Sequence, residues 1–342
     1  MQLLRATDPR WIGRFRLVGR LGAGGMGQVY LGRTPEGRQA AIKVIRDDLA
    51  GDSGFRNRFR REVSAVLSVA GLFTARVLDA DPDSDPPWLA TEFIDGPSLR
   101  DRVQRTGPLP PAELRELAVG LADALGAIHA AGLVHRDLKP ANVLLSRSGP
   151  KVIDFGIAWS ADGTQLTGTG DVLGTPEYMA PEQITGSGPF GPALDVFAFG
   201  ATVAFAATGR SVFGGDVTAA VLYRITQQEP DVKRVPAELR ELVRGCLDKD
   251  PARRPTAQQL ALALRGGGEA GSVGRPGSTV PPPAEGRPPR RRSVLATAIA
   301  VLLVAAATLV AMVLRDPGSP PGPAAAAEPA AVVAPPISPA SP

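Results

Sequence analysis

The 342-residue sequence predicts an α+β chain in which strands lead and helices follow, succeeded by a linker and one membrane-spanning helix. Three observations carry that expectation. A glycine cluster stands between two strand-like runs near the N-terminus, apolar residues recur at helical spacing as far as Arg265, and no charge interrupts Val294 to Leu314.

Composition sets the outer bounds. A chain of this length fills two average domains or one large two-lobed domain with appendages, and either leaves ample core. The 38 Lys+Arg against 34 Asp+Glu are a mild excess, which points to no nucleic-acid partner. The lone cysteine, Cys246, sits in the apolar stretch Leu242–Leu247 and reads as a core residue, since one thiol forms no internal disulfide. Arg5, Asp8, Arg10, Arg14 and Arg16 break up the first twenty residues, so nothing there resembles a signal peptide and the N-terminal part is expected to start in the cytoplasm.

The first element is strand-like, with Phe15, Leu17 and Leu21 leading into Gly22-Ala23-Gly24-Gly25-Met26-Gly27. A dinucleotide fold would need a helix after such glycines, whereas Gln28-Val29-Tyr30-Leu31-Gly32 reads as a second strand, which favours a hairpin. Glycines there let backbone N–H groups close over phosphates, although the motif alone also fits a hairpin without a ligand. The strand Ala40-Ala41-Ile42-Lys43-Val44-Ile45 follows with one lysine in an apolar run, either snorkelling to the surface or binding phosphate with a carboxylate to hold it. Phe55, Phe59, Val63, Val66, Leu67 and Ala70 then mark an inward helix face that includes Glu62, a candidate for that carboxylate. The alternative is one more surface charge among Arg58, Arg60 and Arg61.

A longer helix is expected after Pro110-Pro111, with Leu114, Leu117, Leu121, Leu125 and Ile128 inward and Gly132 ending it. Then comes His135-Arg136-Asp137-Leu138-Lys139-Pro140-Ala141-Asn142, five polar side chains crowded ahead of the strand Val143-Leu144-Leu145, and after it Val152-Ile153-Asp154-Phe155-Gly156. Gly174-Thr175-Pro176-Glu177-Tyr178-Met179-Ala180-Pro181-Glu182, Asp195 and Arg254 complete the series. In this order the motifs resemble the eukaryotic-type protein kinases over about residues 15–265, and most closely the bacterial transmembrane Ser/Thr kinases. The departures are Ala40 where the family's strand-lysine motif has valine, and a short outer tail where many relatives carry a sensor.

The resemblance implies a two-lobed fold, with a small β-rich N-lobe and a larger helical C-lobe, that binds ATP with Mg²⁺ or alternatively Mn²⁺. It implies that Lys43, held by Glu62, contacts the α- and β-phosphates beneath the glycine-rich loop, with Leu21, Gly22, Gly24, Gly27, Val29 and Ala41 around the nucleotide. Backbone groups of Glu92 and Ile94 would pair the adenine edge, with Thr91 as gatekeeper. Asn142 and Asp154 would hold the metal, Asp137 would orient the substrate hydroxyl and accept its proton, and Lys139 would neutralise γ-phosphate charge. His129 reads as a helix-packing residue and His135 as a structural member of its loop, not an acid or base. Asp195 would brace the catalytic loop, Glu182 and Arg254 would form a buried ion pair, and Thr175 would contact the catalytic loop. Thr167 and Thr169, in a polar, hydroxyl-bearing segment, would be phosphorylation sites, with Arg136 receiving the phosphate. Retention of Lys43, Asp137 and Asp154 argues against a scaffold that has lost catalysis. The long segment ending in Ala180-Pro181-Glu182 argues for protein substrates over small molecules.

After the catalytic domain, 266–293 read as a Gly/Pro/Arg-rich linker. Val294–Leu314 would be roughly 30 Å long as a helix, which matches a bilayer core. Arg290, Arg291 and Arg292 precede it and only Arg315 follows, so the kinase side is expected in the cytoplasm and the Pro/Ala-rich tail 315–342 outside a cell membrane crossed once. Ala296, Ala300, Ala307 and Ala311 give small residues a spacing compatible with helix pairing, so a homodimer through the span or the kinase domain is a further expectation.

Overall fold

The computed structural model describes residues 1–24, 27–67, 69, 72–154, 176–188 and 190–266. The chain divides into two units, Met1–Ser272 and Val273–Pro342, and every described residue belongs to the first. Gly25, Met26, Ala70, Phe155, Gly156, Thr167, Thr169, Gly174 and Thr175 lie outside the described residues, as do nearly all of the expected linker, the run 294–314 and the tail. Among the described residues no helix is long and apolar enough to cross a membrane.

Six antiparallel strands form the N-terminal sheet in the order β1-β2-β3-β4-β6-β5, comprising β1 (Trp11–Ile12), β2 (Phe15–Gly24), β3 (Gly27–Arg33), β4 (Gln39–Ile45), β5 (Val77–Asp81) and β6 (Trp88–Glu92). The glycine motif therefore joins β2 to β3 as a hairpin. Because strand side chains alternate between faces, register decides what each residue meets. The row Tyr30–Ile42–Ala90 joins Phe15, Leu17, Ala40 and Trp88 in a small apolar cluster on one face. The rows Val29–Lys43–Leu89 and Leu31–Ala41–Thr91 occupy the other. A short helix α1 (Asp47–Ala50) precedes α2 (Ser53–Val66), which packs Phe55, Phe59, Val63 and Val66 into the larger core. Asp52 caps α2 by accepting the Gly54 N–H at 2.7 Å. Leu67, expected on the inward face, is instead 60 % exposed, because the helix ends at Val66 and the face turns away with it.

The helical lobe comprises α3 (Leu99–Thr106), α4 (Pro111–Ala130), α5 (Pro181–Thr185), α6 (Ala193–Thr208), α7 (Thr218–Gln227), α8 (Ala237–Cys246) and α9 (Ala257–Gly266), with the hairpin β7 (Val143–Ser146) and β8 (Gly149–Val152). The expected α4 face, Leu114, Leu117, Leu121, Leu125 and Ile128, is buried throughout. Proline opens this helix where no N–H is needed, and Gly132 in the left-handed region (φ +74°) closes it. Helix α6 is buried on all sides from Leu194 to Ala206, as its near-continuous apolar sequence requires. It lies so close to α8 that a Cβ at Gly200 would stand 2.7 Å from that of Cys246. The cysteine is fully buried, and desolvation holds its thiol far above the ordinary range.

Candidate functional site

A cleft of about 1240 Å³ opens against the cleft-facing rows of the sheet and the polar loop that follows α4. Its walls include Leu21, Gly22, Gly24, Gly27, Val29, Ala41, Lys43, Thr91, Glu92 and Ile94 from the sheet side. Asp137, Lys139, Asn142 and Asp154 come from the loop side. Every residue expected at the nucleotide, metal and phosphoryl-transfer positions lines this one cleft except Glu62. Leu144 also lines it and was given no site role by the sequence. Alternation from Asn142 along β7 was the available signal.

The glycines are not equivalent. A Cβ at Gly22 or Gly24 would meet nothing within 4 Å, so a ligand can approach the backbone there without side-chain obstruction. At Gly27 a Cβ would stand 1.9 Å from Val44 O, so that glycine is required by the approach of β4. The Glu92 N–H already donates to Arg76 O at 2.8 Å, and its carboxylate lies 3.5 Å from Lys151 Nζ.

Between α4 and β7 the loop is held by its own polar groups. Lys139 Nζ donates to both Asp137 carboxylate oxygens, at 2.9 and 2.8 Å. Asn142 Nδ2 donates to Asp137 O at 2.8 Å and to Asp137 Oδ2 at 3.0 Å, which leaves the Asn142 side-chain oxygen as an oxygen ligand. Together with the Asp154 carboxylate it is the hard-oxygen donor type that a divalent cation bound to phosphates takes, so the residues fit both ATP and its metal. Arg136 (φ +65°) and Asp154 (φ +55°) occupy the left-handed region, where non-glycine residues are uncommon. The sequence offered no sign of that strain.

Asp195 at the start of α6 anchors this loop. Its Oδ2 accepts the His135 N–H and pairs with His129 Nε2, and its Oδ1 accepts the Arg136 N–H, each at 2.8 Å. His129 is therefore more than a packing residue. His135 Nε2 contacts Ile153 O at 3.1 Å, and its Nδ1 accepts the Asp137 N–H at 3.3 Å, a structural part in keeping with its full burial. Farther away, Arg254 donates to both oxygens of Glu182 at 2.6 and 2.8 Å, with both side chains buried.

One expected contact is absent. The Lys43–Glu62 pair does not form in this structure, because Lys43 Nζ lies 3.2 Å from Asp154 Oδ1 and α2 carries Glu62 toward Arg136. The Glu62 carboxylate is 3.8 Å from Arg136 Nη1, and its other oxygen, Oε2, is buried without a hydrogen bond. Desolvation pushes the Glu62 pKa up to about 7, since Arg136 and Arg58 offset the burial only in part. Arg136, expected as a phosphate receiver, is thus already engaged by a carboxylate.

Known proteins match this arrangement. A probable serine/threonine-protein kinase, PkwA of Thermomonospora curvata, is 50 % identical over 280 residues, covering 82 % of this chain and 37 % of the relative. The serine/threonine-protein kinase AfsK of Streptomyces griseus is 48 % identical over 266 residues, covering 77 % and 33 %. The chain thus spans about a third of the length of these curated relatives. The crystal structure of the Mycobacterium tuberculosis PknI kinase domain superimposes with a TM-score of 0.60 at 26 % identity, covering 77 % of this chain and all of that one. The model of the protein kinase domain matches residues 15–263, which hold β2 to β6, the expected cleft residues and the braced loop alike, and the chain accordingly belongs to the protein kinase family.

Proposed function

We propose that the protein transfers the γ-phosphoryl group of ATP to Ser or Thr hydroxyls of protein substrates. The observation that carries this reading is the meeting of Lys43, Asp137, Lys139, Asn142 and Asp154 in one cleft whose glycine-rich roof has open space over Gly22 and Gly24. Phosphoryl transfer gains little from covalent help and much from positioning and charge neutralisation, and that is what this residue set supplies. Asp137 receives the hydroxyl proton, Lys139 holds Asp137 and offsets charge on the transferring group, and Lys43 binds the α- and β-phosphates. Asn142 and Asp154 hold Mg²⁺, or alternatively Mn²⁺, which shields the phosphate oxygens when bound. The Glu92 carbonyl and the Ile94 backbone face the adenine edge, beside Thr91. Lys43 pairs with Asp154, which would hold the metal when one is bound and leave the lysine to the phosphates. Glu62 is the carboxylate that then takes it.

The reading extends to the rest of the chain. The run 294–314 anchors the protein once in the cell membrane, with the kinase domain in the cytoplasm, 266–293 as juxtamembrane linker and 315–342 outside. Thr167 and Thr169 are autophosphorylated in trans between neighbouring molecules, as homodimers or transient pairs, and their phosphates take Arg136 from Glu62. The PkwA and AfsK names, both serine/threonine-protein kinases, support the substrate class.

The test is to incubate the purified protein with ATP and Mg²⁺ and map phosphosites by mass spectrometry. Phosphate on serine or threonine is expected, lost in Asp137→Asn and in Asp154→Ala. Turnover near that of the wild type in either variant would refute the assignment.

A further inference from the structure

Ten residues precede β1, all ahead of residue 15 where the match to the kinase domain begins. They are nonetheless fastened to the glycine-rich strand. Gln2 and Arg20 exchange both backbone hydrogen bonds at 2.9 Å, and the Leu17 N–H donates to Arg10 O at 3.0 Å. The outer edge of β2 is thereby covered by β1 at one end and by Gln2 at the other. A Cβ at Gly19 would lie 3.0 Å from Gln2 O and 3.2 Å from the Met1 sulfur, so the contact is close.

The fastening is ionic at its centre. The Asp8 carboxylate, 3 % exposed, accepts from Arg20 Nε at 2.7 Å, from the other Arg20 nitrogen Nη2, from the Tyr30 hydroxyl at 2.9 Å and from the Arg5 N–H at 2.7 Å. The Arg20 hydrogen bonds hold its pKa well below the usual carboxylate range. An exposed surface ion pair contributes little, whereas a sequestered one with every oxygen satisfied fixes geometry.

What it fixes is the roof of the cleft. Arg20 pairs across the hairpin with Tyr30 and Gly22 with Val29, so Leu21 is an extra residue, a bulge beside the anchored arginine. Arg20 is tied down on the face away from the cleft, while Leu21, Gly22 and Gly24 line the cleft, with Met1 at its wall. We propose that Met1–Arg10 is a strap, and Asp8 a positioning residue, that sets the placement of the glycine-rich strand over ATP. The inference rests on the reading of the cleft as an ATP site.

The test measures ATP kinetics and nucleotide affinity on the full-length protein with Asp8→Asn, Asp8→Glu, Tyr30→Phe and Gly19→Ala, beside thermal unfolding of each. Asp8→Asn is expected to raise KM for ATP about 10-fold with kcat at saturating ATP within about twofold, and Asp8→Glu to recover part of the loss. Gly19→Ala, which leaves Asp8 intact and presses on Gln2 and Met1, should shift KM in the same direction even if Asp8→Asn folds poorly. A lower unfolding temperature with unchanged KM for ATP in these variants would overturn the proposal, as would no change at all. Wild-type protein that binds no ATP would instead remove the reading of the cleft, and the strap's function with it.

Discussion

Asp195→Asn isolates what the buried acid does for the catalytic loop. The carboxylate accepts two backbone N–H groups and faces His129 Nε2, each at 2.8 Å, with its side chain fully buried. The amide keeps the shape but turns one acceptor into a donor, so at least one backbone N–H, of His135 or Arg136, is left facing an NH₂ group. A hydrogen bond to a charged acceptor contributes about 1.5–3 kcal/mol, and a stranded buried donor costs about 1–3 kcal/mol, so a loss of about 2.5 kcal/mol is the lower expectation. At about 2–4 °C per kcal/mol for a domain of this size, the unfolding temperature should fall by about 5–10 °C. Activity should suffer beyond that. Arg136 is held at a left-handed φ of +65° next to Asp137, and loss of either anchoring contact, at His135 or at Arg136, lets that strain relax by moving the base, for which a kcat loss of about 100-fold is expected. Differential scanning calorimetry and kcat measured well below the variant's unfolding temperature check both halves. A fall of less than about 2 °C with kcat within twofold would refute the brace.

Replacing either partner of the Glu182–Arg254 pair, as in Glu182→Gln or Arg254→Met, should cost about 3–5 kcal/mol by urea denaturation, while the double variant recovers much of it, because the cost is the charge left behind. Glu62 gives a pH signature: its pKa is raised from 4.5 to about 7, so the folded chain binds its proton more tightly than the unfolded chain. Stability present at low pH should therefore decline as pH rises between these values, and Glu62→Gln should flatten that decline in urea midpoints; parallel curves would refute the assignment. Truncation after Gly268 should release soluble, active protein, whereas the full chain should fractionate with membranes, and protease applied to intact cells should spare the kinase domain.

Most of the cleft was legible because its chemistry sits in contiguous motifs whose residues share a face by simple alternation, as Ala41 and Lys43 do on β4. The Asp195 brace and the Glu182–Arg254 pair were legible through the family pattern. The partner of Glu62 was not, since helical spacing shows which face is inward but not which of two nearby cations the helix carries it toward. Gly27 was read as a phosphate glycine, and its packing demand appears only when β4 is placed beside it. Asp8 was passed over because it lies in an irregular segment with no periodicity, where only a three-dimensional fold brings it to Arg20 and Tyr30.

Cys246, at the end of α8 and pressed against α6, makes the protein a convenient reporter of its own opening. It is the chain's single thiol and is fully buried against the Gly200 contact, so a thiol reagent has no native target among its side chains. Labelling of the wild type then counts only excursions that separate α8 from α6, and its rate follows the opening free energy when reclosing outpaces reaction. The same silence gives a clean background for spectroscopy. A cysteine introduced at exposed Tyr223 or Leu67 would carry a probe at one known position, with no competing native site to remove first.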